Sequence, residues 1–339
     1  MKKYIKSVTA SLILSLALLL SVGCGLSGSS SKKPVSDTGF YLDTVVTITL
    51  YGVQDDSLIR DCFSLIADYE SVLSRTREGS DVWKINHSQG TPTEISKDTA
   101  SLIQTALHYA ELSGGAFDIT IAPVTDLWNF EGEGDHSLPD QTQLSEALTH
   151  VDYRNIILDG TTVTLKDPEA AIDLGGIAKG YIADRLKEYL LDKGISAGLT
   201  GGLIDLGGNL LTIGTKPGNV LWKLGVRKPF AQTAAELSAT VTVRDLSLVT
   251  SGTYERYFEK NGTLYHHILD KETGLPADTG LSGVSVLSPS STDCDALSTT
   301  CFLLGADKGM ELIETLEDTE ALFITEDGTL LRSSGFPEQ

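Results

Sequence analysis

Strand-like and helix-like stretches succeed one another along this chain without the strict strand–helix–strand alternation that a parallel sheet requires. Tyr41 to Tyr51 carries β-branched residues in alternation and predicts a strand. Leu58, Ile59, Cys62, Phe63, Ile66, Tyr69 and Leu73 recur at helical spacing. Ser96 precedes a second helix that Gly114 stops, and Leu144 to Leu148 suggests a short third. Tyr181 to Leu191 is a further helical pattern. From Gly198 to Gly283 the chain reads mostly as strand, with turns at Lys216–Asn219 and Lys260–Gly262. Asp295 opens a helix reaching about Leu304, another runs from about Asp307 to Leu316, and Ala321 to Leu331 is a hairpin around Asp327-Gly328. This order predicts an α+β fold.

Residues 1–23 form a distinct unit. Lys2, Lys3 and Lys6 precede the apolar run Leu12 to Leu20, the pattern of an export signal. The run ends in Leu20-Ser-Val-Gly-Cys24, which resembles a bacterial lipoprotein signal with Cys24 as the lipidated residue. Residues 24–39, rich in Ser, Gly and Lys, read as a flexible tether, and 40–335 as the folded unit. The expected location is outside the cell membrane, anchored by lipid on its outer or periplasmic face. Cys62, Cys294 and Cys301 make an odd count and suggest no disulfide framework. The formal charge of −20 disfavours nucleic acid as a partner. It also means that any phosphate must be held by local cations against the global field.

Four stretches could carry chemistry. In Asp173-Leu-Gly-Gly-Ile-Ala-Lys-Gly180 a glycine pair precedes a helix start, with Lys179 as a mobile cation. It suits an anion, or is simply a tight strand-to-helix turn. Asp295 and Thr299, four apart, share a helix face and offer two hard oxygen donors suited to Mg²⁺; alternatively Asp295 only caps the helix. His266 and His267 would point to opposite faces of a strand, so one of them could serve as a base, with Asp270 to orient it; a surface pair on a hairpin is the other reading. In Gly114 to Trp128, Phe117 and Trp128 could flank a planar ring and Asp118 fix its polar edge, or the aromatics pack the core.

In this order, the motifs resemble the ApbE family of FAD:protein FMN transferases. The resemblance runs through Phe40 to Thr44, Leu73-Ser74, Ser80-Asp81, Ile85-Asn86, Gly114 to Trp128, Asp173 to Gly180, Gly207-Gly-Asn209, Thr250 to Arg256, His267 to Pro276, and Asp295 to Thr299. It implies an ApbE-like, T-fold-related architecture with an FAD cleft between sub-lobes. It implies transfer of the FMN half of FAD to a Thr or Ser hydroxyl of a partner protein, releasing AMP, with Mg²⁺ required. Carried over, Asp295, Thr299 and the Gly176 carbonyl would hold the metal. Leu42, Thr76, Ala116, Phe117, Asp118, Asp173, Lys179 and Ile268 would contact FAD, and His267, with Asp270, would act as base. The chain has Leu42-Asp43-Thr44 where many relatives have Met-Gly-Thr, and Thr76 where many have Tyr. Acceptors are expected to be exported redox proteins with an Asp-x-x-Ser/Thr-Gly-Ala-Ser/Thr motif. Two rivals remain at this point: an FAD pyrophosphatase yielding FMN and AMP, and a non-catalytic flavin-binding lipoprotein.

Overall fold

The computed structural model describes residues 33–128, 130, 137–233 and 235–337. The export signal and Cys24 lie outside them. In chain order the elements are β1 (Val35–Tyr41), β2 (Thr44–Tyr51), α1 (Ser57–Leu73), α2 (Asp81–Asn86), β3 (Thr93–Glu94), α3 (Lys97–Leu112), α4 (Ala122–Trp128) and α5 (Gln141–Leu148). The chain continues through β4 (Ile156–Asp159), β5 (Thr162–Leu165), α6 (Ala178–Gly194), β6 (Gly201–Leu206), β7 (Asn209–Gly214), β8 (Trp222–Arg227), β9 (Leu237–Val243) and β10 (Ser247–Gly252). It ends with β11 (Tyr257–Lys260), β12 (Thr263–His266), β13 (Leu281–Ser288), α7 (Ser291–Ile313), β14 (Glu320–Thr325) and β15 (Leu330–Arg332).

An antiparallel eight-stranded sheet, in the order β1-β2-β6-β7-β10-β13-β14-β15, forms the framework. Its residues alternate between two cores. Val249, Val284, Val286, Ala321 and Phe323 face the layer of α1, α6 and α7. Leu248, Leu287, Leu322 and Ile324 face the β8–β9 hairpin, which lays Trp222, Leu224, Val226, Val241 and Val243 over the other side. Both faces of the central strands are therefore dry, and all eight residues of β13 are buried. A smaller cluster joins Val124 and Trp128 of α4, Leu144 of α5, Phe258 of β11 and Leu269. The fold is α+β, as the alternation argument predicts. No helix among the described residues is long and apolar enough to cross a membrane.

Several boundaries differ from the sequence reading. The tether does not reach residue 39, because Val35–Tyr41 is paired along its whole length with β2. The strand read as Tyr41–Tyr51 is the second arm of a hairpin whose tip is Leu42-Asp43, with φ of 53° and 56°. Positive φ at both central residues is the two-residue turn that matches strand twist; it is usually given to Asn-Gly, which is why Leu-Asp concealed it. The two helices read from Asp295 and Asp307 are both present, the two arms of α7 meeting at Gly305, where φ is 77°, but the first begins at Ser291 rather than Asp295. Asp295 thus lies one turn inside α7, and Ser290 caps it by accepting from the Asp293 N–H at 3.1 Å. Cys62, Cys294 and Cys301 are free and buried.

Candidate active site

A cavity of about 570 Å³ opens where the β1–β2 hairpin tip, the ends of α1 and α6, the face of α7 and the β12–β13 connection meet. Its geometry is set by the crossing of α6 and α7. A Cβ on Gly180 would overlap the Ser291 carbonyl oxygen and lie 2.7 Å from the Asp295 Cβ, so only glycine allows the two helices this close. Asp184 of α6 holds the start of α7, accepting from the N–H groups of Ser291 (2.9 Å) and Thr292 (2.8 Å). Ser291, Asp295 and Thr299 then recur at four-residue spacing along one face of α7.

Each rung of that face has a partner. Asp295 is 4% exposed, and its Oδ2 accepts from the Gly180 N–H at 2.8 Å. The helix start expected to attract a ligand anion therefore has this amide engaged by the chain's own carboxylate. The Asp295 Oδ1 has no hydrogen-bond partner among the described residues. The Thr299 Oγ1 lies 3.0 Å from the Ser251 Oγ, and a Cβ on Gly176 would stand 3.8 Å from the same Thr299 oxygen. Asp295, Thr299 and Gly176 all line the cavity. A carboxylate oxygen without a partner, a hydroxyl and a nearby main chain are hard donors, and this set fits Mg²⁺. No cluster of three or more His, Cys, Asp or Glu side chains able to hold a metal occurs among the described residues.

The opposite wall is built from the segments around Phe117 and Asp173. Asn86 brackets residue 172 at both ends of its amide, donating to the Ile172 carbonyl at 2.9 Å and accepting from its N–H at 2.7 Å. The adjacent Asp173 accepts from the Gly175 N–H at 2.7 Å and pairs with the Arg75 Nε at 3.2 Å. Arg75 also reaches Asp126, tying α4 to this wall. Asp118 is buried. Its Oδ1 takes the Thr120 N–H (2.9 Å) and hydroxyl (2.6 Å), its Oδ2 takes the Tyr153 N–H (3.0 Å), and Lys271 stands 3.8 Å away. Leu42, Thr76, Ala116, Phe117, Lys179 and Ile268 also line the cavity. Trp128 does not: it is 1% exposed and donates its indole N–H to the Gly274 carbonyl at 2.7 Å, so Phe117 alone of that pair faces the site. Phe130 lines it as well.

The two histidines part as a strand end requires. His266 is buried, with its ring edge-on to Phe302, and burial brings its imidazole down to about 4. His267 lines the cavity, and its Nδ1 sits 3.2 Å from the Arg256 carbonyl. A carbonyl can only accept, so Nδ1 carries the hydrogen and Nε2 keeps its lone pair. Burial first, then the Arg256 charge, holds His267 down at about 3, with Lys179 adding to the effect. Asp270 does not orient this imidazole. Its carboxylate accepts from the Glu272 N–H at 2.8 Å, closing the turn that leads to Pro276, and it is not among the residues lining the cavity. The Arg256 main chain does the orienting instead.

Sequence reasoning gave no role to Arg75, Asn209, Ser251, Glu255, Arg256 or Lys271, all of which line the cavity. Glu255 keeps solvent contact, yet desolvation at the wall pushes its carboxyl up against the pull of Lys179, Arg227 and Arg256. A profile of the ApbE family matches residues 42–323. The chain belongs to the ApbE family. A protein of Klebsiella pneumoniae named FAD:protein FMN transferase is 38% identical over 308 residues, covering 90% of this chain and 93% of its own length. A protein of Treponema pallidum with the same name is 34% identical, covering 96% and 94%. Among solved structures, the ApbE protein of Thermotoga maritima matches with a TM-score of 0.81 at 31% identity, over 90% of this chain and 98% of its own. The flavin transferase ApbE of Vibrio cholerae matches with a TM-score of 0.76 at 25% identity, over 90% and 98%. The ApbE match therefore begins at Leu42 on the hairpin tip and spans every wall of the cavity.

Proposed function

We propose that this chain transfers the FMN moiety of FAD to a Ser or Thr hydroxyl of a partner protein, releasing AMP. What supports the reading is the convergence of Lys179, His267 and the Asp295–Thr299 face on one cavity, in a chain of the ApbE family. Asp295, Thr299 and the Gly176 carbonyl would hold Mg²⁺, which supplies charge neutralisation at phosphate oxygens. Lys179 offsets the pyrophosphate charge inside a protein of net charge −20. The acceptor hydroxyl gives its proton to His267 Nε2 as its oxygen bonds the flavin-side phosphorus. The phosphoanhydride bond breaks and the electron pair leaves with AMP, to which a proton returns through solvent. Burial and the Arg256 charge hold the His267 imidazole neutral, so Nε2 is free to accept a proton.

The partner is read as an exported redox protein carrying the Asp-x-x-Ser/Thr-Gly-Ala-Ser/Thr motif, and this chain as lipid-anchored through Cys24 outside the membrane. Replacing Cys24 by Ala is expected to move the chain from the membrane fraction to the soluble one, by immunoblot of fractionated cells. The transfer itself is tested by incubating the chain with FAD, Mg²⁺ and such an acceptor, followed by mass spectrometry. Gain of one FMN unit on the acceptor is expected. FMN and AMP produced with no adduct would favour the pyrophosphatase reading, and stoichiometric FAD binding without AMP would favour a passive binder.

A further inference from the structure

Asn209 is the first residue of β7 and follows the Gly207-Gly208 turn. Its side chain is 1% exposed and lines the cavity. Its Oδ1 accepts from the Ser291 hydroxyl at 2.7 Å, and Ser291 in turn accepts from the Ser247 hydroxyl at 2.9 Å. This relay turns the amide oxygen toward α7 and leaves the Nδ2 without a partner among the described residues. A buried amide N–H with no acceptor costs free energy in the empty protein, so a position like this calls for an incoming group. Ser291 lies one helical turn before Asp295 on the same face, and Gly180 packs against both. The Asn209 side chain therefore meets the α7 face that carries Asp295 one turn further on. The cavity wall also carries Glu70, Asp126, Asp173 and Glu255, so an uncharged donor here favours an acceptor ligand without adding another acid.

We propose that Asn209 is a substrate-binding residue whose Nδ2–H donates to a phosphoryl oxygen of the dinucleotide. The proposal rests on the flavin reading of this site. The reverse amide orientation has a definite counterpart: the Ser247 proton would go to the Leu210 carbonyl, 2.9 Å away, and Asn209 would present its oxygen to the cavity. The two orientations give opposite results with Asp.

The test uses the full chain in Mg²⁺ buffer, with FAD and riboflavin titrated by flavin fluorescence. Asn209→Ala is expected to weaken FAD binding about ten- to a hundredfold, the loss of one hydrogen bond to a charged group. It should leave riboflavin, which has no phosphate, within about twofold. Asn209→Asp should weaken FAD more than Ala does, because a carboxylate would face a phosphate. FAD affinity unchanged in the Ala variant, equal losses for FAD and riboflavin, or wild-type FAD affinity in the Asp variant would each overturn the proposal. Failure of the wild-type chain to bind FAD would instead contradict the flavin reading, and this assignment with it.

Discussion

His267 and His266 are adjacent, and their surroundings give them different work. The Arg256 carbonyl fixes one tautomer of His267, a residue of the cavity wall, and leaves Nε2 with its lone pair. His267→Ala is expected to leave FAD binding intact and to lower transfer at least about a hundredfold, the scale of a lost general base. With the imidazole held down at about 3, kcat/KM for FAD should show no inflection near 6.5, and its acid limb should fall below about pH 5. A pH–rate profile that breaks near 6.5 would contradict this. His266, like His267, also bears on stability. Its folded-state value of about 4 lies below the 6.5 of an open chain, so the unfolded state takes up the proton first as pH falls. Folding stability should therefore decline from about pH 6.5 to about pH 4. His266→Gln should flatten that decline in urea midpoints measured across the window; an unchanged slope would assign the acid sensitivity elsewhere.

At the scale of elements, the α6–α7 crossing decides whether the site exists. Gly180→Ala should cost about 1–3 kcal/mol by overpacking, and it should lower AMP release by shifting Asp295 away from the α6 start. Thermal melting and an AMP assay check both, and an Ala variant with full activity and stability would show that the close contact is dispensable. The glycine pair, Lys179 and the helix behind them were legible in the sequence because turn, charge and period coincide within eight residues. The start of α7 was not. Ser288, Ser290, Ser291, Thr292, Asp293 and Asp295 are all capping residue types, and the choice is made by Asp184, more than a hundred residues upstream. Asp270 misled for a similar reason: proximity in sequence to His267 suggested a pair, whereas the local turn uses its carboxylate. The α4 and α2 helices, of seven and six residues, were too short for a period to show.

At the scale of the molecule, the eight-stranded sheet is a two-sided support. The β8–β9 hairpin seals one face, which leaves the other free to position the helix layer and the cavity against it. Strand order could not be read from the sequence, since β2 pairs with β6 across more than a hundred residues. Strand alternation was enough for the class. A protein of net charge −20 has to bring a pyrophosphate against its own field, and the proposed transfer requires Asp295 and Thr299 to hold a divalent cation there. The most direct test is a Mg²⁺ titration of AMP release from FAD in the wild-type chain and in Asp295→Asn. Saturable Mg²⁺ dependence is expected in the wild type and, in the variant, activity reduced at least about tenfold, the scale of one lost charged contact, with a rightward shift in the Mg²⁺ required. Superimposable titrations, or full wild-type activity in chelator, would contradict it.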